Sequence, residues 1–385
     1  MRRILFLGLC VLSGSFVHGQ AVSHFGARAM GMGGAHVAVA DDLMGVYWNP
    51  AGLALGAPRE FAIVVSGEGA DERNSIEKIK GLVDLSEAAE GTIITPEDIS
   101  KAIELLEGLA EPGAGASGEA NLDFMFRYQG FAFSVLGLGT ASASPLIDLD
   151  ILNFDPNSGE PLPTDLPKLE LNGLLTRQFV ATYCRMVVPD SVWVGGNVKY
   201  IRADSYYAMR LIVDTENNRL NIRELIDEAT HENKRTSSAW GVDFGVMALL
   251  TQNLRFGVVG RDINSPEFKH TGPVPVQLNP QYRLGMSYQF APSFLLAADY
   301  DLSKNNEGIL GVAEREISLG GEGRLFNRAL ALRGGASRNI DIEKSKWQFS
   351  AGIGLNLTRV SIDVGASADA GFDQAAIAIS GSVRY

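Results

Sequence analysis

The chain has 385 residues, 46 % of them hydrophobic and only 20 % charged, with 43 glycines and 15 prolines. Glycine exceeds the roughly 7 % of ordinary domains without any collagen period, which excludes a collagen-like or a proline-rich disordered chain. A net charge of −12 argues against a general polyanion binder, so no nucleic-acid partner is expected, and two cysteines, Cys10 and Cys184, offer neither a disulfide framework nor a cysteine metal site.

In chain order, Arg2-Arg3 is a short basic region, Ile4 to Leu12 is apolar, and Val17-His18-Gly19 before Gln20 suits signal peptidase. Residues 1–19 are therefore expected to be an export signal. No later run of about 18 apolar residues follows, so no transmembrane helix is expected. Residues 26–35 are mostly small and can pack closely in a confined space. Asp41-Asp42 predicts the start of a short helix through 43–48, and Asn49-Pro50 its stop.

From residue 58 onward, period-two alternation dominates. In 346–357, Trp347, Phe349, Ala351, Ile353, Leu355 and Leu357 oppose Gln348, Ser350, Gly352, Gly354 and Asn356. The pattern predicts fourteen strands: 59–67, 119–128, 130–141, 172–188, 191–207, 236–250, 253–262, 279–290, 293–302, 313–325, 327–337, 346–357, 359–369 and 373–385. Many match the ~9–11 residues that a tilted strand needs to cross hydrocarbon. The connections alternate between tight turns, such as Gln129 and Pro189-Asp190, and mostly long loops, such as 68–118 and 208–235. That layout predicts an all-β fold, a transmembrane antiparallel β-barrel of about fourteen strands over 58–385, with both termini on the short-turn side. A soluble β-sandwich or two-domain β protein is the alternative. Trp193, Tyr200, Tyr282, Tyr288, Phe290, Trp347 and Tyr385 near strand ends are candidates for interfacial girdles. Fourteen strands enclose more space than side chains alone fill, so the lumen is either plugged or a pore.

The long first loop, 68–118, is predicted to be helical. Ile76, Ile79, Leu82 and Val83 recur at helical spacing, and Thr95-Pro96-Glu97-Asp98 opens a second helix carrying Ile99, Ile103, Leu106 and Leu109. Ile76, Ile79, Leu82, Ile99, Ile103 and Leu106 are either a capture surface for hydrophobic molecules or a face packed on the barrel rim. A smaller helix is expected at 220–230. Gly137 and Gly139 in the third strand offer a kink or ordinary curvature.

No catalytic chemistry can be nominated. The five histidines at 18, 24, 36, 231 and 270 lie apart without zinc spacing, and neither a P-loop nor a nucleophile elbow with a histidine partner occurs. Asp299, Asp301 and Asp363 fall on the lumen parity with Arg283 and Arg333, as a wet interior requires. No enzyme, cofactor or metal is expected.

Residues 20–57 carry a motif: Gly33-Gly34-Ala35, then Ala40-Asp41-Asp42, then Asn49-Pro50-Ala51-Gly52-Leu53. This stretch resembles the N-terminal signature of the FadL-type outer-membrane transporters and of PorV-type and conjugal-transfer TraF-like relatives. The resemblance implies a fourteen-stranded barrel in a Gram-negative-type outer membrane, with 20–57 as a hatch inside the lumen. Gly33, Gly34, Asp41, Asp42, Asn49, Pro50, Ala51 and Gly52 are its candidate hatch residues. The function so implied is uptake of hydrophobic small molecules such as long-chain fatty acids. The alternative is a docking or shuttle component of a protein secretion or conjugal-transfer system. The expected partners are outer-membrane lipid, a hydrophobic substrate, and a secretion or transfer-system protein.

Overall fold

The structure is a computed structural model describing residues 17–18, 25–89, 95–111, 113–152, 166–212, 220, 222–272, 276–304, 314–341 and 345–385. Fourteen strands form one closed antiparallel barrel. They are β1 (Arg59–Glu72), β2 (Gly115–Tyr128), β3 (Phe131–Leu146), β4 (Lys168–Val188), β5 (Val192–Leu211), β6 (Arg235–Leu249) and β7 (Leu254–Arg261), followed by β8 (Gln281–Ala291), β9 (Phe294–Asp301), β10 (Glu316–Leu325), β11 (Leu330–Asn339), β12 (Gln348–Leu357), β13 (Val360–Asp369) and β14 (Gln374–Arg384). Each of the fourteen expected strands is present, and β1 to β5 run further toward the long loops than the alternation indicated. There the alternation fades, because both faces of the strand ends meet loop helices or small residues.

Closure is made by β14 on β1, from Gln374 opposite Ala70 to Arg384 opposite Glu60. It leaves no strand edge unpaired, which a sheet in hydrocarbon requires. The tight turns use left-handed backbone at Gln129 (φ 55°) and Asp190 (φ 52°). Tyr385 N–H donates to the Arg59 carbonyl at 3.1 Å, placing the C-terminus beside the start of β1 on the short-turn side.

Alternation sorts the two faces. Val135, Phe179, Val198, Phe244, Leu296, Ile353 and Ile379 point outward and are exposed, a belt that lipid rather than water solvates. Asp123, Lys199, Asp243, Arg283, Asp299, Glu322 and Arg333 point inward and are buried. Tyr200, Tyr282, Tyr288, Phe290, Trp347 and Tyr385 are outward, as girdle residues must be. Trp193 is not: it sits opposite Met247 on the inward face and packs with Ala51 and Met247. Its nearness to a strand end suggested a girdle, but its parity decides. Gly137 and Gly139 leave the ladder of β3 intact. Its pairing with β2 and β4 runs through both without a register shift.

Residues 25–56 lie within the barrel as short turns: α1 (Ala27–Gly31), α2 (Gly45–Trp48) and a 3-10 turn, Pro50–Leu55. The expected helix over 43–48 is confined to α2, and Asn49-Pro50 ends it by opening the 3-10 turn. The first long loop holds α3 (Ser75–Ala89) and α4 (Pro96–Leu109). Thr95 caps α4 in a reciprocal capping box with Asp98. A four-residue helix, α5 (Leu149–Leu152), follows β3, and α6 (Ile222–Asp227) continues into a π-turn at Glu228–Glu232. The described part of the expected export signal, Val17–His18, runs parallel to Val276–Gln277; the rest lies outside the described residues.

Arginine on the lipid face near the bilayer midplane costs about 2–4 kcal/mol. Ile353→Arg, in the middle of the outward belt, is expected to lower refolding stability in lipid vesicles by that amount. Phe372→Arg, in an exposed turn, is expected to stay within ~0.5 kcal/mol, with both read by urea titration.

Candidate functional site: the hatch and the lumen

Three features hold residues 25–56 against the inner wall. The first is Arg28, whose Nε donates to Glu322 on β10 at 2.9 Å while Nη1 reaches Asp41 at 2.6 Å and Asp42 at 3.1 Å. Glu322 also receives Arg333 from β11 at 2.7 Å, and Arg333 continues to Asp363 on β13 at 2.6 Å. One hatch guanidinium thus joins two hatch carboxylates to a chain of charges on the wall. Burial works against the Arg28 charge, but Glu322, Asp41 and Asp42 outweigh it and raise its guanidinium further above the usual range.

The second feature is backbone capture. Asp299 on β9 accepts the N–H groups of His36 at 2.7 Å and Val37 at 2.8 Å. Arg283 donates to the Gly34 carbonyl at 3.3 Å, and Asn197 to the Val46 carbonyl at 2.8 Å. Asn49 is fully buried. Its Nδ2 donates to the carbonyls of Val37 and Val246, each at 3.1 Å, and its Oδ1 accepts Ala51 N–H at 3.1 Å. Asn49 therefore bonds the hatch to itself and to β6.

The third is close approach. A Cβ added to Gly195 would lie 2.4 Å from the Pro50 carbonyl carbon, and one on Gly245 would lie 2.2 Å from Asn49 Oδ1. Gly335 and Gly365 leave the same room for Met32 and Ala27. On the hatch side, Gly33 (φ 63°) would place a Cβ 2.6 Å from Ala336 N, and Gly52 one 1.8 Å from the Ala40 carbonyl. At each of these points a glycine on one side lets the other segment come close, at Gly52 within the hatch and at the rest between hatch and wall.

Phe25 stacks on Tyr47 with ring centroids 4.2 Å apart, and Arg261 covers Tyr47 at 4.3 Å. Beyond Tyr47 a chamber of about 30 Å³ lies between the hatch and Leu278. One side is Leu136, Leu138 and Val180; the other holds Lys199, paired to Asp243 at 2.7 Å and to Asp262 at 2.6 Å. Farther out, Phe268, Val276 and Leu278 of the loop after β7 pack on Leu174 and Ile201 of the wall. A space of that size holds about one water, so this chamber gives no passage to a larger solute.

The helical loop is a separate assembly. Ile79, Leu82 and Leu106 are buried with Leu109, Leu169, Ala208 and Leu225. Ile99 and Ile103 are half-buried, and Ile76 is exposed. The apolar stripe of α3 and α4 thus serves mainly to pack on the strand rim. Beside it, on the outward face, small residues of three strands (Gly118, Ala120, Gly139, Ala141, Gly173) floor a hollow of about 680 Å³. Tyr206 and Ile226 are among its sides.

Sequence reasoning missed the Arg28–Glu322 bond and the glycines that admit the hatch. Parity puts Glu322 in the lumen, but nothing local pairs it with a residue 294 positions away.

Fold and site together define a closed fourteen-stranded antiparallel barrel that holds residues 25–56 inside its lumen. The chain is similar in structure to the toluene transporter TbuX of Ralstonia pickettii (TM-score 0.52, 15 % identity, 95 % of this chain and 99 % of that one). It is also similar to the toluene transporter TodX of Pseudomonas putida (0.54, 12 %, 94 % and 99 %) and to a FadL homologue of Pseudomonas aeruginosa (0.54, 11 %, 93 % and 98 %). Among curated proteins, none matches the chain in sequence. A family model described as "F plasmid transfer operon, TraF, protein" matches residues 46–301, and the chain belongs to that family.

Removing one partner from a buried ion network costs about 3–5 kcal/mol. Arg28→Ala is therefore expected to open 25–56 to added protease while the barrel keeps its heat-dependent gel mobility. Gly245→Ala is expected to do the same by steric displacement of Asn49. Burial raises the Asp42 carboxyl, but Arg28 and His36, whose Nε2 lies 3.8 Å away, outweigh it and hold it well below the carboxylate range. A depressed carboxylate stabilises above its unfolded pKa of about 3.9 and loses that contribution as pH falls toward its folded value. Protease protection of 25–56 should thus persist at pH 5, and the Asp42 contribution should decline only below about pH 4.

Proposed function

We propose that the protein is an outer-membrane channel of a Gram-negative-type bacterium that takes up hydrophobic small molecules, with residues 25–56 as its gate. The observation that carries this reading is a closed, lipid-facing barrel whose lumen holds a segment bonded through polar groups and packed on glycines. Such a joint holds one position and can be released without unfolding the wall. Asn49, Pro50 and Ala51 anchor the gate on β5 and β6, while Gly33 lets it lie close to the wall, Gly34 (φ 78°) takes a left-handed turn and Gly52 lets the segment fold onto Ala40. Asp41 and Asp42 hold Arg28 in place.

Apolar solutes gather first in the outward hollow beside Tyr206 and Ile226, next to the cap built from Ile79, Leu82 and Leu106. They then pass over the strand rim beneath that cap and enter the lumen along Leu136, Leu138 and Val180. The unbroken pairing of β3 supports a route through the lumen rather than through the wall. Long-chain fatty acids are one substrate class that fits an apolar hollow of about 680 Å³. TbuX and TodX carry the name toluene transporter, so toluene is a second solute to test.

A second reading rests on the family match: a docking or shuttle component of a secretion or conjugal-transfer system, with a protein partner on the loops. Deletion of 21–52 separates the two. The channel reading expects a folded barrel with raised, nonselective conductance in planar bilayers. Unchanged conductance of the folded deletion variant rules out a plug and leaves the docking reading. Removing α3 and α4 should lower small-molecule uptake under the first reading and protein pull-down under the second.

A further inference from the structure

The outward face of β4, β5 and β6 changes character along its length. On the short-turn side it is apolar: Tyr183, Phe179, Val198 and Phe244 are all exposed. Tyr200 and Trp240 come next, directly opposite each other, with their rings edge-to-face at 5.3 Å. An aromatic pair of this kind, where an apolar band ends, marks the boundary between hydrocarbon and headgroups.

One step further out, Arg177 of β4 stands directly opposite Arg202 of β5. Like charges opposite each other on neighbouring strands are destabilising. Arg177 is relieved by Asp204, which also takes Lys234 at 3.3 Å and the Thr236 hydroxyl at 2.6 Å. Asp204 is thereby engaged by two cations and a hydroxyl. Arg202 is exposed and has no ion-pair or hydrogen-bond partner among the described residues. Farther out on the same face, Arg210 is matched by Glu228 at 2.9 Å. The excess cation is thus confined to one band, immediately outside the aromatic pair, in a chain of net charge −12.

We propose that Arg177, Arg202 and Lys234 form a binding site for the phosphate headgroup of a phosphorylated acyl glycolipid in the outer leaflet. Guanidinium groups bind phosphate through paired, directed hydrogen bonds, and two guanidiniums on adjacent strands can share one phosphate. The occupant is a bilayer lipid rather than a soluble anion because the site opens sideways, at the level where lipid phosphates lie and directly above a wall that acyl chains cover. The phosphate removes the cross-strand repulsion, so lipid binding also ties β4 to β5 below the hollow at Gly173 and Tyr206. The proposal rests on the outer-membrane placement given above.

The test uses the full chain reconstituted in phosphatidylcholine nanodiscs doped with lipid A, followed by native mass spectrometry of the released complex. Wild type should retain lipid A. Arg177→Gln/Arg202→Gln should retain about tenfold less, a difference of about 1.4 kcal/mol, with unchanged heat-dependent gel mobility showing an intact barrel. Arg202→Lys should recover part of the loss, and lipid A stripped of its phosphates should be retained no better by wild type than by the double variant. Equal retention of lipid A by wild type and double variant overturns the proposal. Displacement by millimolar inorganic phosphate would instead make this a soluble-anion site. A chain that does not insert into the bilayer overturns the membrane reading itself.

Discussion

The contact between Arg28 and Glu322 makes plug and wall one structure. A fourteen-stranded wall cannot fill its own centre, and a polypeptide lying in that centre needs partners for its buried polar groups. Arg28 meets both needs at once, gathering Asp41 and Asp42 within the hatch and binding Glu322 on β10. Buried ion networks contribute little net stability, yet they specify one arrangement, because any other leaves a charge without a partner. That property suits the gate we propose, which needs a defined closed position more than a deep energy well.

Close approach is the second requirement, and it accounts for the composition. The hatch lies on wall backbone at Gly195, Gly245, Gly335 and Gly365, where any side chain would collide. The glycine excess of the chain is therefore partly a property of the interface between wall and plug. Outward, a similar thinning of side chains at Gly118, Gly139 and Gly173 leaves the hollow under α6. Small residues thus serve two separate ends on the two faces of the same sheet.

Much of this architecture was legible in the sequence because a membrane barrel inverts the usual pattern and keeps strict period two. Ile353 outward and Arg333 inward follow from alternation alone, as do the lumen positions of Asp299 and Asp363. The tight turns at Gln129 and Asp190, alternating with long loops, gave the strand number and direction. Trp193 shows the limit of reading position along a strand in place of parity. The Gly137–Gly139 pair shows that glycine in a strand need not shift its register. The pairings of Arg28 with Glu322 and of Asn49 with the Val246 carbonyl depend on which strand the plug reaches, and no local pattern encodes that. Arg177 opposite Arg202 was equally hidden, since it requires the register of β4 on β5 to be known to the residue.

The family match and the barrel fold meet in a structure whose lumen holds residues 25–56, and the proposed function turns on that segment moving. Ala27 N–H donates to the Ser380 hydroxyl at 3.0 Å, which makes these two positions a pair to cross-link through cysteines. The most direct measurement is uptake of a radiolabelled hydrophobic solute, corrected for protein-free vesicles, by vesicles carrying the Ala27→Cys/Ser380→Cys variant, oxidised and then reduced. The account predicts that uptake stops when the disulfide forms and returns when it is reduced. Equal uptake in both states, with the cross-link verified by mass spectrometry, would contradict it.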